Sequence, residues 1–208
     1  MFENIIKNVH NRHPLIHCIT NYVSINDCAN IVLACGGAPI MAEDINEVSQ
    51  ITSICQGLDI NIGMLNDNKL SSMLKAGATA NELGIPVILD PVGAGSSDYR
   101  IKAVQNLMSN VQFGVIRGNV SEIKAIAAKQ GIHNISAGVY DTMQKDKSAM
   151  GVEAGIADKI ADDNIKEMAD FINKLSQKTG AVIAVTGRID MVADENRVYA
   201  RRNGPTPL

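Results

Sequence analysis

The 208-residue sequence has few aromatic residues and no long run of basic charge. Phe, Trp and Tyr make up 3% of the chain, too few for a surface that stacks nucleic-acid bases. The chain has 19 basic and 22 acidic residues and a net charge of −3, and its longest basic run is Arg201-Arg202. This balance lacks the electrostatic footprint of a nucleic-acid-binding protein, so we expect no nucleic-acid partner.

Long hydrophobic runs are also absent. The most apolar stretch, residues 31–42, is interrupted by Gly and Pro and is too short to span a bilayer. Residues 1–10 lack the uninterrupted apolar core and small-residue cleavage site of a secretory signal. We therefore expect a cytoplasmic protein with no membrane partner.

Cysteines are few and form no Cys-x-x-Cys pair. Their apolar surroundings predict reduced, buried thiols at Cys18, Cys28, Cys35 and Cys55. The one spacing that resembles a metal site is His13-x-x-x-His17-Cys18. Because residues 14–20 are predicted to form a strand, positions four apart lie about 13 Å from one another. We therefore favour ordinary core and surface histidines over a zinc site.

The chain alternates short apolar runs with longer helical patterns. Five runs rich in Val and Ile predict strands over residues 14–20, 58–62, 85–89, 113–116 and 181–185. Helices are predicted over residues 24–34, 45–55, 69–83, 98–108, 120–129 and 163–177, the last beginning at Asp162-Asp163. Residues 191–200 resemble a hairpin with a turn at 194–197.

Strands that are apolar on both faces and separated by helices predict a three-layer α/β/α sandwich with a mostly parallel central sheet. No shift in composition marks a boundary, so residues 1–208 are predicted to form a single domain. Within it, residues 131–162 have weak periodicity and suggest an irregular excursion or lid. Ligands of such a fold bind beyond the carboxyl ends of the strands.

Polar or glycine-rich segments come directly after all five apolar runs. They are residues 20–22, 61–63, 90–96, 117–122 and 186–188. The sequence contains neither a P-loop nor a dinucleotide-binding fingerprint. Gly93-Ala94-Gly95 alone is typical of an ordinary tight turn.

The residues of these loops leave several roles open. Asp90 suits either a structural cap or a water-mediated Mg²⁺ site near a transferred phosphate. Asn119 and Glu122 fit a capping box, yet the same arrangement directs an amide, a carboxylate and a positive helix end towards a ligand. Arg117 adds a charge-assisted phosphate donor. Thr186 suits either a strand-to-turn junction or a hydroxyl contact with a nucleotide.

Six segments, taken in order, resemble the hydroxyethylthiazole kinase family over nearly the whole chain. They are Thr20-Asn21-Tyr22-Val23, Gly37-Ala38-Pro39-Ile40-Met41-Ala42-Glu43-Asp44, Asn61-Ile62-Gly63, Asp90-Pro91-Val92-Gly93-Ala94-Gly95, Arg117-Gly118-Asn119-Val120-Ser121-Glu122 and Val185-Thr186-Gly187. The resemblance implies a ribokinase-like fold. It also implies ATP- and Mg²⁺-dependent phosphorylation of the hydroxyl of 4-methyl-5-(2-hydroxyethyl)thiazole in thiamine salvage.

The resemblance further implies roles for individual residues. The thiazole pocket would be lined by Met41, Asn21, Val23 and Gly63. ATP would be bound by Arg117, Thr186 and Asn119, and magnesium would be organised by Asp90 and Glu122. No catalytic residue is assigned. Family members are homotrimers with active sites between subunits, so we expect a homotrimer here.

The sequence departs from the family pattern after the predicted hairpin. The family has there a Thr-Gly-Thr-Gly-Cys loop, which supplies a backbone anion hole for the migrating phosphoryl group. This sequence instead ends at residues 203–208, so we expect a chain that is C-terminally truncated relative to the family. Two alternative functions therefore remain open. The first is a non-catalytic thiazole- or nucleotide-binding homologue, and the second is a ribokinase-like kinase that acts on another small alcohol.

Overall fold

A computed structural model describes residues 2–132 and 160–202, and the chain divides into two compact units. The first unit comprises Met1–Asp90 and Asn106–Phe113, and the second comprises Pro91–Gln105 and Gly114–Leu208. The excursion or lid predicted over residues 131–162 falls almost entirely outside the described residues, as do residues 203–208. Within the two described ranges, every helix is too short or too polar to cross a bilayer.

The first unit alternates helices with parallel strands. The helices are α1 (Phe2–Arg12), α2 (Ile25–Ala34), α3 (Val48–Ile54) and α4 (Asp67–Glu82). The strands are β1 (Leu15–Ile19), β2 (Ala38–Ile40), β3 (Gly57–Asn61) and β4 (Val87–Asp90). Their order is β2-β1-β3-β4, and every pair among them is parallel. Helix α5 (Asp98–Asn110) is divided between the two units.

The second unit combines a parallel strand pair with a hairpin. Its elements are β5 (Val115–Asn119), α6 (Val120–Lys129), α7 (Ile165–Thr179), β6 (Val182–Thr186), β7 (Ile189–Ala193) and β8 (Val198–Arg202). Strands β5 and β6 are parallel, whereas β6, β7 and β8 pair antiparallel. Asp194 N donates to Arg197 O at 3.0 Å, closing the turn that the sequence predicts between β7 and β8.

Alternating side chains of β1 show why helices cover both faces of this strand. His17 lies with its Nδ1 2.9 Å from Thr52 Oγ1 of α3, whereas the Cys18 thiol lies beside Cys28 of α2. Successive side chains of a strand point to opposite faces, so α2 and α3 lie on opposite sides of β1. On the His17 face the inner strands are apolar, and Ile19, Leu58, Ile60 and Leu89 are fully buried there. This layering agrees with the predicted mostly parallel α/β architecture.

Two elements of the structure were not predicted, and helices α3, α4 and α7 begin two or three residues from their predicted starts. Helix α1 and strand β2 were not predicted, since α1 has scattered polar residues and β2 is three residues long with Pro39 at its centre. Helix α7 begins at Ile165 with Asn164 at the N-cap, not at Asp162-Asp163. The Asp162 carboxylate instead pairs with the Arg202 guanidinium of β8, which holds it outside the helix.

The histidine and cysteine predictions have mixed outcomes. His17 is a buried core histidine, as predicted, and its Nε2 donates to Ala42 O at 2.8 Å. All four cysteines are free, but the prediction that all are buried is wrong: Cys35 is exposed and Cys28 is half-buried. Cys35 comes directly after the last residue of α2, where the chain turns at the surface. Burial, followed by the charge of Asp59, raises the pKa of the Cys18 and Cys28 thiols.

Candidate functional site

The loops after β1 and β3 meet through one asparagine of the first unit. Asn61, the last residue of β3, accepts through Oδ1 from Asn21 Nδ2 at 3.2 Å and from Gly63 N at 2.8 Å. A Cβ on Gly63 would lie 2.9 Å from Asn61 Oδ1 and 3.0 Å from Asn21 Nδ2, so position 63 has no room for a side chain. The structure thus brings together two residues of the predicted thiazole pocket, Asn21 and Gly63. Asn61 joins them, a role that no local pattern in the sequence indicates.

The Asn21 amide also orders its own loop. Its Oδ1 accepts from Ser24 N at 3.0 Å and from Ser24 Oγ at 3.1 Å, immediately before α2 begins. Both the oxygen and the nitrogen of this amide therefore engage protein groups. Asn21 fixes the path from β1 into α2, and with it the position of the surrounding loop.

A buried lysine joins the loops after β1 and β2. The Lys69 side chain is only 4% exposed, and its Nζ donates to Thr20 O at 2.5 Å and pairs with Glu43 Oε2 at 2.8 Å. The same Nζ lies 4.5 Å from the centroid of the Tyr22 ring, and the Tyr22 hydroxyl donates to Glu43. These four residues, which we call the Lys69 cluster, hold the two loops together.

The electrostatics of the Lys69 cluster favour a charged carboxylate. Burial alone would raise the pKa of Glu43, but the hydrogen bonds from Lys69 and Tyr22 and the lysine charge outweigh it and hold the pKa below its ordinary value. The hydrogen bond to Glu43 in turn raises the pKa of the Tyr22 phenol. The role of Lys69 was not predicted, because one lysine in the first turn of a helix resembles an ordinary surface residue.

The two apolar residues of the predicted thiazole pocket differ in exposure. Met41, directly after β2, is half-buried. Val23 is 90% exposed, so the other residues of its unit do not enclose it. Asp90 ends β4 in register with Asn61 of β3, which places it in the same row of strand ends as the Asn21 loop.

Glu122 joins two segments of the second unit through the two oxygens of one carboxylate. Its Oε2 accepts from Asn119 N at 2.8 Å while Asn119 Oδ1 accepts from Glu122 N at 2.9 Å, so the predicted capping box is confirmed. Its Oε1 accepts from Gly93 N at 2.9 Å. Glu122 is 6% exposed, and it fixes the glycine loop of residues 91–97 against the start of α6.

The predicted nucleotide residues of the second unit lie at neighbouring strand ends. Asn119 of β5 is in register with Thr186 of β6, and Thr186 Oγ1 donates to Gly118 O at 3.4 Å. Arg117, two residues before Asn119, is exposed. The structure therefore groups Asn119, Glu122 and Thr186 in one unit, while Asp90 belongs to the other.

The Glu122 carboxylate suits a magnesium ion that keeps most of its water. Mg²⁺ takes oxygen ligands, usually one or two carboxylates, and retains several waters. Both Glu122 oxygens already accept a backbone N–H, and each keeps a lone pair for a hydrogen bond from metal-bound water. Glu122 therefore fits contact through water better than direct coordination, whereas Asp90 ends β4 in the other unit.

Comparison with known proteins gives matches over nearly the whole chain. The model of the hydroxyethylthiazole kinase family matches residues 6–208. A hydroxyethylthiazole kinase of Clostridium acetobutylicum is 52% identical over 204 residues, which cover 98% of this chain and 69% of the relative. A relative from Desulfovibrio desulfuricans with the same name is 45% identical over 98% of this chain and 66% of its own length.

Solved structures agree with these sequence matches. A hydroxyethylthiazole kinase from Pyrococcus horikoshii superimposes with a TM-score of 0.78 at 31% identity, covering 97% of this chain and 66% of the other. This chain thus spans about two thirds of the length of its relatives. Because the family model matches residues 6–208 and one relative is 52% identical, the chain belongs to the hydroxyethylthiazole kinase family.

Proposed function

We propose that this chain acts as an ATP- and Mg²⁺-dependent kinase that phosphorylates the hydroxyl of 4-methyl-5-(2-hydroxyethyl)thiazole, a step of thiamine salvage. Family membership supports the reaction. Within this chain, the proposal rests on the Glu122 carboxylate, which holds the glycine loop against the start of α6. Phosphoryl transfer depends mainly on such positioning.

The proposed thiazole pocket uses residues of the first unit. Met41 offers a polarisable thioether to a flat, sulfur-containing ring. Gly63 N donates to Asn61 Oδ1, and Asn21 fixes the loop that carries Val23. The Lys69 cluster supports this pocket, because it ties the loop of Val23 to the loop of Met41.

The proposed nucleotide site uses residues of the second unit. Arg117 and Thr186 bind ATP, Arg117 through charge-assisted hydrogen bonds to phosphate oxygens. Asn119 is the N-cap of α6, whose first turn presents backbone N–H groups and a positive dipole end to an anion. Glu122 would hold Mg²⁺ through water, and the bound ion would neutralise phosphate charge. The chain's own contribution is orientation: Glu122 keeps Gly93 N and Asn119 N in place.

The proposed assembly is a homotrimer in the cytoplasm. Helix α2 contains Ile25, Ile31, Val32 and Leu33, yet none of its residues is buried. Ile31 and Leu33 are 61% and 56% exposed, and Val23 precedes the same helix. An apolar surface of this kind is typical of an interface between copies of a chain. The free cysteines suit a reducing compartment.

The test measures ADP release with and without the thiazole alcohol in the presence of ATP and Mg²⁺. We expect ADP release that depends on the thiazole. Calorimetric binding of the thiazole without ADP release would overturn the kinase proposal in favour of a non-catalytic binding protein. Faster turnover of a pyrimidine alcohol would overturn the substrate and indicate another small-alcohol kinase.

A further inference from the structure

Two thiols and a carboxylate form a compact group in the first unit. The Sγ atoms of Cys18 and Cys28 and a carboxylate oxygen of Asp59 all lie within 4.8 Å of one another. Each residue comes from a different element: β1, α2 and β3. The proposed thiazole and nucleotide sites include none of the three, so a ligand bound by this group would be independent of the proposed function.

The three side chains are held by regular structure. Cys18 and Asp59 are in register on neighbouring parallel strands, so their side chains project from the same face of the sheet. Cys28 extends from α2 to meet them on that face. Cys18 is buried, whereas Cys28 and Asp59 are half-buried, so the group borders solvent on one side and an ion can reach it.

Asp59 is an unusual residue for its position. Strand β3 lies between β1 and β4, and the residues on either side of Asp59, Leu58 and Ile60, are fully buried. Charged side chains are rare at the centre of an inner strand. Here the carboxylate offers an oxygen ligand beside two thiols.

We propose that Cys18, Cys28 and Asp59 form a binding site for a zinc-type divalent cation. Zn²⁺ accepts thiolate and carboxylate ligands in tetrahedral geometry, and three protein ligands leave the fourth position for water. Mg²⁺ and Ca²⁺ select oxygen ligands and would not use the sulfur atoms. On binding, each thiol releases its proton to solvent and a Zn–S bond replaces the S–H bond, without oxidation or reduction.

The dimensions of the group suit this ion. Zn–S bonds of about 2.3 Å in a tetrahedral site place two sulfur atoms about 3.8 Å apart. The ligand atoms already lie within 4.8 Å of one another, so small side-chain rotations close the site without moving the strands or the helix.

The test titrates the whole chain with Zn²⁺ in competition with a chromophoric chelator, after reduction with a phosphine and a count of the free thiols. We expect one equivalent to bind. Cys28→Ser should weaken zinc binding by at least about tenfold, the smallest loss typical of disturbing a metal site. Cys35→Ser is the matched control, since Cys35 adjoins the same helix but is exposed and outside the group. It should leave the affinity unchanged.

Two further measurements test the zinc site if Cys28→Ser fails to fold. Asp59→Asn retains both thiols and should weaken zinc binding similarly, and Co²⁺ bound to the unaltered chain should show a thiolate-to-cobalt charge-transfer band. The proposed site would be overturned if that band were absent, or if folded Cys28→Ser or Asp59→Asn bound zinc with unchanged affinity. Failure of the fully reduced chain to bind Zn²⁺ would also overturn it.

Discussion

Glu122 shows how one side chain can order two loops. Its carboxylate accepts from Asn119 N in the capping box and from Gly93 N in the glycine loop. Gly93 has φ of +66°, a backbone conformation that other residues adopt only with strain, so the loop depends on this residue and on the hydrogen bond that holds it. A loss of Glu122 should therefore affect both stability and nucleotide binding.

We expect Glu122→Gln to lower the free energy of unfolding by about 1–3 kcal/mol, because the glutamine amide can replace only one of the two accepting oxygens. Thiazole-dependent ADP release should fall by up to about a hundredfold as the loop shifts. Urea unfolding and a coupled assay measure the two effects. Glu82→Gln, at an exposed position at the end of α4, is the control and should change stability by less than about 0.5 kcal/mol. Equal effects of both variants would contradict the assigned role.

Lys69 gives a second prediction at this scale. We expect Lys69→Met to lower the free energy of unfolding by about 1–3 kcal/mol, because Thr20 O and Glu43 lose a buried charged donor. Lys75→Met is a matched control on the same helix, since Lys75 Nζ also donates to a backbone carbonyl, Ile45 O, but is exposed. Chemical denaturation of the two variants should show the larger loss for Lys69. A loss as large for Lys75 would show that burial is unimportant.

The lowered pKa of Glu43 predicts how stability depends on pH. A carboxyl whose pKa is lower in the folded state stabilises the fold above its unfolded pKa, and this contribution disappears as the pH falls through the folded value. Stability should therefore decline as the pH drops below about 4.3, the ordinary glutamate value. Glu43→Gln should reduce this decline in thermal melts between about pH 5 and pH 3. An unchanged decline would place the titrating group elsewhere.

The elements that could be predicted from the sequence are those marked by local patterns. Helix α6 runs over Val120–Lys129 as expected, because the capping box joins residues only three positions apart. Strand β2 pairs with β1, and its three residues are too few to show a local strand pattern. The Lys69 bond to Thr20 and the Glu122 bond to Gly93 join residues 49 and 29 positions apart. Such contacts depend on how the chain folds back, which no local pattern encodes.

Helix α4 supplies a prediction in which packing opposes helix propensity. Replacing glycine by alanine inside a helix ordinarily adds up to about 1 kcal/mol of stability. In Gly77→Ala, however, the new Cβ would lie 2.5 Å from Val111 Cγ2, and overpacking of this kind costs about 1–3 kcal/mol. We therefore expect a net loss of stability in urea unfolding. Adding Val111→Ala should cost less in this variant than in the unaltered chain, and strict additivity would refute the clash.

At the scale of the whole molecule, the exposed apolar residues of α2 bear on self-association. We expect Ile31→Glu to reduce the mass measured by sedimentation, because a charge would enter the proposed contact between copies. Leu83→Glu is the control, since Leu83 is similarly exposed but lies at the end of α4. Identical masses for the unaltered chain and Ile31→Glu would remove α2 from the interface.

Strand β2 ends the strand order of the first unit, and Pro39 lies at its centre. Ala38 N points inwards and donates to Pro14 O, so the next residue directs its backbone away from β1. That residue is proline, which has no N–H to offer. A strand of another molecule that paired with this edge would therefore find only three residues and no central N–H donor. The edge thus disfavours the intermolecular strand pairing that leads to aggregation.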